Sequence, residues 1–391
     1  GDTISGGAGT DTISMTLATT IGATISDVET YNVTFNTGGA LNAANITNAT
    51  AINILSGTAT AATVTNLATG STVANGTTAA EIETITLDTV SGASLTVKLD
   101  DAASGALTIT DAASVTITGE DAAATTSVAN TVLDNTDTTT LVLAGADAAY
   151  AMDVGAITSQ GAVTSITGST STSSGTLTVG AYADIGSVTT MSLTSSAANL
   201  TFSTGANIGA DSDGAEGESL ATVTLSATNS TIDLGDGQTI YLDSVTDSTT
   251  DLTSTWTVTT ATSGTVNVGG LDNTYGITTL DVSENNGTAF SMDTITTASI
   301  GSITLGGSGT HNIGNITTTS TSAYTIDATN AAGTVTLVLT GTNSNATVNT
   351  GNGAATITTI GDTGKTTTIA LGSGNETTDQ IISATTLGDI V

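Results

Sequence analysis

Short runs in which an apolar residue alternates with a polar one recur along the whole chain. They include ETYNVTF (29–35), ETITLD (83–88), LTVKL (95–99), ALTIT (106–110), SVTIT (114–118), TLTVG (176–180), TVTLSA (222–227), TIYLD (239–243), GTVNVG (264–269), SITLGG (302–307) and GTVTLVLTG (333–341). Val or Ile alternates with Thr, the period-two pattern of a strand with one buried face. Gly, Asn, Asp and Ser fall between the runs, where turns need positive φ or local side-chain caps. No stretch sustains a 3.6-residue period, and the β-branched residues that dominate the periodic stretches disfavour helix. The pattern predicts an all-β protein.

One repeat is sharp. Asp-Ala-Ala occurs at 101–103, 111–113 and 121–123, and a fourth copy at 147–149 breaks the ten-residue step. Equal steps are the signature of stacked coils. A stack on this step sets Asp101, Asp111 and Asp121 about one strand spacing apart, ~4.8 Å. Like charges at that distance repel, so cations or open water must lie among them. A looser echo links DVETYNVT (27–34) and EIETITLD (81–88), each an acid–apolar–Glu opening to a strand. The expectation is an elongated β-solenoid, with tandem β-sandwich domains as the alternative. The expected organisation is a calcium-type turn region (1–20), a Thr/Ala-rich β-region (21–205), an acidic loop (206–219) and a Thr/Gly-rich β-region with degenerate turns (220–391).

Composition narrows the function. Threonine makes up roughly a quarter of the 391 residues, far above ordinary usage. Against 35 acidic residues stand only Lys98 and Lys365, no arginine and the single His311, for a formal charge of −33. Such a chain repels itself unless cations neutralise it. Nucleic acid is excluded as a partner, because no basic groups displace counterions from phosphate. An anionic membrane repels the chain as well, and no apolar run approaches the ~20 residues of a transmembrane span. Without cysteine there are no disulfides or thiolate metal sites, so bound Ca²⁺ is the expected staple. No signal peptide precedes Gly1 and the chain does not begin with Met, which suggests processing from something longer. An enzyme is not expected. Acidic-sugar lyases need a basic clamp that this composition lacks, and one Trp with few other aromatics makes a poor sugar platform.

The start of the chain carries the clearest chemistry. Gly6-Gly7-Ala8-Gly9-Thr10-Asp11-Thr12-Ile13-Ser14 fits the calcium-binding nonapeptide G-G-x-G-x-D-x-U-x at every fixed position. Asp2 lies nine residues before Asp11, in register. Glycines let the backbone turn tightly with carbonyls inward, and Asp carboxylates add the hard oxygens that Ca²⁺ prefers. The candidate ligands are Asp2, Gly6, Gly7, Gly9 and Asp11, joined by others from a neighbouring turn. Degenerate copies follow. LGGSGTHNI (305–313) has His311 at the Asp position, where it reads as a plain turn residue. LGDGQTI (234–240) is a shortened copy, with Asp233 and Asp236 as its acids. NTGNGAATI (349–357) has Ala355 at the Asp position, and LGSGNETTDQI (371–381) has Glu376. Asp101, Asp111 and Asp121 are further candidates. So are Asp211, Asp213, Glu216 and Glu218, carboxylates spaced around Gly214 like the first half of an EF-hand loop. Thr222 stands where that loop requires Glu.

The opening GGAGTDTIS, running into MTLATTIGATISDVETYNVTF and then Thr/Ala/Asn-rich short strands, resembles bacterial RTX-type surface-layer proteins. The resemblance implies type I secretion, Ca²⁺-dependent folding outside the cell, and assembly of copies into a lattice or filament at the bacterial cell surface. Cell-surface polysaccharide is a second candidate partner. The terminal Gly388-Asp389-Ile390-Val391 is similar to some type I export signals. The alternative is a calcium-dependent RTX adhesin, including the ice-binding type. Thr-x-Thr occurs at 84–86, 108–110, 116–118, 176–178 and 222–224, but its irregular spacing argues against a flat threonine rank.

Overall fold

The computed structural model describes all residues except 1, 22, 38, 56–60, 76–83, 101–103, 121–125, 134–137, 146–151, 160–162, 171–176, 180–181, 184–187, 197, 203–220, 235–238, 242–252, 341–342, 361–364, 373–379 and 385–391. The chain forms two compact units, Gly1–Asp184 and Ile185–Val391. Each is a parallel β-solenoid, as the alternating pattern and the ~20-residue coil predict.

The first coils show how the sequence produces this. Strands β1 (Thr3–Ser5), β2 (Thr12–Leu17), β3 (Thr24–Ser26) and β4 (Thr30–Phe35) are separated by the segments GGAGTD, ATTIGA and DVE. In β4, Tyr31, Val33 and Phe35 point inward and are fully buried, while Thr30, Asn32 and Thr34 face outward. A strand pleat does this automatically, because successive side chains alternate sides. The β2 strand lies beside β4 with Thr12 next to Thr30. Thr30 in turn lies beside Ala51, Ala51 beside Thr72, Thr72 beside Thr96, and Thr116 beside Val142. The chain therefore returns to the same position after eighteen residues at first and twenty-six at most in this series. Turns absorb the difference and leave the inward register intact.

The ten-residue Asp-Ala-Ala step proves to be half a coil. Ala106–Thr110 lies beside Thr84–Asp88, and Ser114–Glu120 beside Ser94–Asp100. Successive repeats are thus different arms of one coil, not the same arm of successive coils. Asp111 is exposed at the bend between the arms, with φ +63°. The chain needs about two repeats to come back above itself, so described residues ten apart in this region lie on different arms. Positions 101 and 121 themselves lie outside the described residues.

Polar side chains stack as the apolar ones do. Asn53 donates its amide to Asn32 at 2.8 Å, and Asn66 donates to Asn42 at 3.0 Å, each one coil away. Threonines align despite their irregular sequence spacing. Thr190, Thr222, Thr255, Thr279 and Ser302 form one rank. Two residues along each strand, Ser192, Thr224, Thr257, Asp281, Thr304, Asp327, Asn349 and Ala370 form another. Such columns form because turn length varies while strand register does not, and in these two ranks Thr-x-Thr is complete in only two adjacent coils, at 222–224 and 255–257. No helix among the described residues is long and apolar enough to cross a membrane.

Corners of the second unit need glycine for close approach. A Cβ on Gly333 would lie 2.1 Å from the Gly309 carbonyl oxygen, and one on Gly353 would lie 1.9 Å from the Gly333 carbonyl oxygen. Both contacts are with backbone, which has nowhere to move without opening the stack. Gly353→Ala is expected to cost about 1–3 kcal/mol, the usual penalty of overpacking. The neighbouring exposed Asn352→Ala should stay within about 0.5 kcal/mol of wild type. Denaturant midpoints of the two variants check this; equal midpoints would remove the steric argument.

Candidate metal centre

The N-terminal nonapeptide forms the turn its glycines predict. Gly7 has φ +93° and Gly9 has φ +132°, a conformation that L side chains rarely adopt. Gly6 is constrained differently. Its N–H donates to the Ser26 carbonyl at 3.0 Å, and a Cβ there would lie 2.0 Å from the Asp27 carbonyl oxygen. The turn therefore packs directly against the start of the next coil. Asp2, exposed just before β1, accepts from the Thr24 N–H through its carbonyl at 3.0 Å.

Asp11 is tied to Glu29 in that next coil. The Asp11 carbonyl accepts from the N–H groups of Glu29 (3.2 Å) and Thr30 (3.1 Å). In return the Asp11 N–H donates to Glu29 Oε2 at 2.7 Å. Both residues have the inward parity of their strands, and both are half-buried. Asp11 Oδ2 is buried and accepts no hydrogen bond from the described residues. A buried carboxylate oxygen with no donor is costly, and a second carboxylate one coil away makes it costlier. A cation removes both penalties. Close by in sequence, burial and the Glu29 charge push the Tyr31 phenol up to about 12, so it stays neutral.

These residues fit a hard divalent cation. Asp11 and Glu29 supply carboxylate oxygens, and backbone carbonyls or water would complete the six to eight ligands of Ca²⁺. Among the described residues, no three of His, Cys, Asp or Glu converge into a site made of side chains alone. Glu29 was not among the sequence candidates. Its signal was the acid–apolar–Glu echo at 27–34, which marks the coil that meets the glycine turn. Asp27 belongs to the same corner. Its carboxylate accepts from Ser5 Oγ at 3.2 Å and from Asn48 Nδ2 at 3.1 Å, so both its oxygens are engaged.

The other candidates are dispersed. Asp233 ends the strand Thr231–Asp233 beside Asn267 and lines a groove of about 250 Å³ with Asn267, Val268, Ser291 and Asp293. Asp111 is exposed at its bend. Asp101, Asp121, Asp211, Asp213, Glu216, Glu218, Asp236 and Glu376 lie outside the described residues. In register, Asp100 and Glu120 pair directly, so acid does sit over acid one residue before the Asp-Ala-Ala triplets.

The degenerate copies show what the motif's Asp position means in the fold. His311 is fully buried in the strand Thr310–Thr318, not placed in a turn. Its neighbours up and down the stack are Phe290, Val335 and Ala355, all core residues. Nε2 lies 3.0 Å from the Gly306 carbonyl, and the ring rests near the Asn285 amide, which also donates to the Thr310 carbonyl at 2.9 Å. The motif's Asp position is thus the first inward position of an arm. Asp11 keeps a carboxylate there, and the second unit fills it with core. No family model, curated protein or solved structure matches the chain.

Two outcomes follow. If Asp11 and Glu29 hold Ca²⁺, saturating the ion raises stability by about 2.7 kcal/mol at a hundredfold excess over Kd. Glu29→Gln should lose most of that increment in melts run in Ca²⁺ and in EGTA. An unchanged increment would count against the pair. Burial also lowers the His311 pKa from its ordinary value near 6.5. The unfolded chain then takes up a proton that the native chain refuses. Stability is full above 6.5 and falls as pH drops through it, by at most about 1.4 kcal/mol per pH unit. The stability difference between wild type and His311→Gln, followed from pH 7.5 to 5.5, isolates this contribution.

Proposed function

We propose that this chain is a self-assembling structural subunit of the bacterial cell surface, in a surface layer or filament, secreted by a type I route and stabilised by Ca²⁺. The observation that carries the reading is the Asp11–Glu29 corner, where a buried Asp11 carboxylate oxygen has no hydrogen-bond partner among the described residues and a hard cation would coordinate it. A chain of charge −33 needs cations before it meets its copies. The resemblance of the opening residues to RTX-type surface-layer proteins supports the same reading, and cell-surface polysaccharide remains a candidate for anchoring.

A calcium-dependent adhesin of ice-binding type is the second reading, favoured by the threonine ranks of the second unit. Thermal hysteresis at micromolar protein separates it from the first. Electron microscopy of the purified chain tests the main proposal. Ordered polymers are expected in Ca²⁺, with dispersal in EGTA. Polymers of equal order after exhaustive chelation would remove calcium from the account, and particles that stay single in Ca²⁺ would remove assembly.

A further inference from the structure

The second unit carries a polar trough on the outward face of one arm. Its floor follows a single register. Asp233 lies beside Asn267, Asn267 beside Ser291, Ser291 beside Asn312, and Asn312 beside Thr336. The hollow of about 250 Å³ that Asp233 lines adjoins a second of about 260 Å³, whose far side is formed by Asn312, Gly314, Thr336 and Val338. Ser291 and Asp293 line both, so the two hollows form one trough running across the coils. Glycine opens it. Gly314 follows Ile313, which lies beside Met292, and so stands level with Asp293. A Cβ on Gly314 would lie 2.5 Å from the Asp293 carbonyl oxygen, so close stacking excludes a side chain there. Gly269, between Val268 and Gly270, stands level with Asp293 in the preceding coil. The exposed Asp293 thus has no side chain level with it in either neighbouring coil.

The lining selects a ligand by its chemistry. Asp233 and Asp293, in a protein of charge −33, repel anions. Among the described residues no three of His, Cys, Asp or Glu converge, so a metal finds no cage of carboxylates here. An apolar ligand would leave the carboxylates and amides without partners. A neutral, hydroxyl-rich ligand satisfies them all. The carboxylates accept from its hydroxyls, while the amides of Asn267 and Asn312 and the hydroxyls of Ser291 and Thr336 both donate and accept. Val338 adds an apolar contact for the C–H face of a sugar ring.

We infer that this trough binds a neutral saccharide chain laid across the coils, with Ser291 and Asp293 at its centre. The inference rests on the polysaccharide partner named in the proposed function and gives that partner a site. No aromatic ring lines the trough among the described residues, so a single site binds weakly, with Kd about 1 mM. Copies held in one assembly gain affinity by binding one chain at several sites.

Isothermal titration calorimetry tests it with four neutral hexasaccharides (cellohexaose, maltohexaose, laminarihexaose and mannohexaose) and with hexagalacturonate as the anionic control. At least one neutral chain should bind, and hexagalacturonate should bind at least about tenfold more weakly. Asp293→Ala should weaken the neutral ligand about tenfold. Ser291→Phe fills both hollows and should abolish binding. Thr325→Ala, at an exposed position on a different arm, should bind as wild type does. Circular dichroism melts verify that each variant folds. Folded Asp293→Ala and Ser291→Phe chains that bind like wild type overturn the trough while the polysaccharide partner stands. Hexagalacturonate binding as tightly as the neutral chains overturns the choice of ligand. A wild type that binds none of the hexasaccharides at about 10 mM, tenfold above the expected Kd, overturns both the trough and the partner, and leaves self-assembly to be judged by microscopy.

Discussion

A parallel β-stack sets each residue above its counterpart in the previous coil, about 4.8 Å away. Whatever occupies a position is therefore judged by its likeness to itself. Apolar columns gain by burial, as Tyr31, Val33 and Phe35 do above Ile13, Met15 and Leu17. Amides gain by pairing, as Asn53 does with Asn32. Threonine suits the outward ranks because its methyl packs and its hydroxyl bonds to neighbours. Carboxylates gain nothing from stacking. Where the second unit places Asp281 and Asp327 in one outward rank, Thr304 lies between them and Asn349 follows. Asp327 also draws hydrogen bonds from the N–H and hydroxyl of Thr329, which hold its pKa below the usual range.

Asp11 and Glu29 break that rule in the one described corner built on an intact nonapeptide. Gly6 sets the turn against the next coil, and hydrogen bonds from the Glu29 N–H to the Asp11 carbonyl and from the Asp11 N–H to Glu29 Oε2 tie the two acids together. The same sequence position in the degenerate copies holds His311 or Ala355, each stacked within an apolar column. The turn geometry and the metal chemistry are therefore separable. Glycine preserves the turn geometry where coils touch, and Asp11 with Glu29 keeps the paired acids that these degenerate copies lack.

The sequence alone determined the all-β class, the alternation of inward Val, Ile and Leu with outward Thr, and the glycine turn at residues 6–11. These are local properties: strand pleat and turn sterics act within a few residues, so they are legible in a few residues. Tertiary structure decided what stacks on what. Only the coil length, set by turns of variable size, reveals that the Asp-Ala-Ala step is half a coil, that scattered threonines align, that His311 is core, and that Glu29 rather than another glycine-turn aspartate meets Asp11. A neighbour one coil away is eighteen to twenty-six residues off in these registers, at a distance that no local pattern specifies.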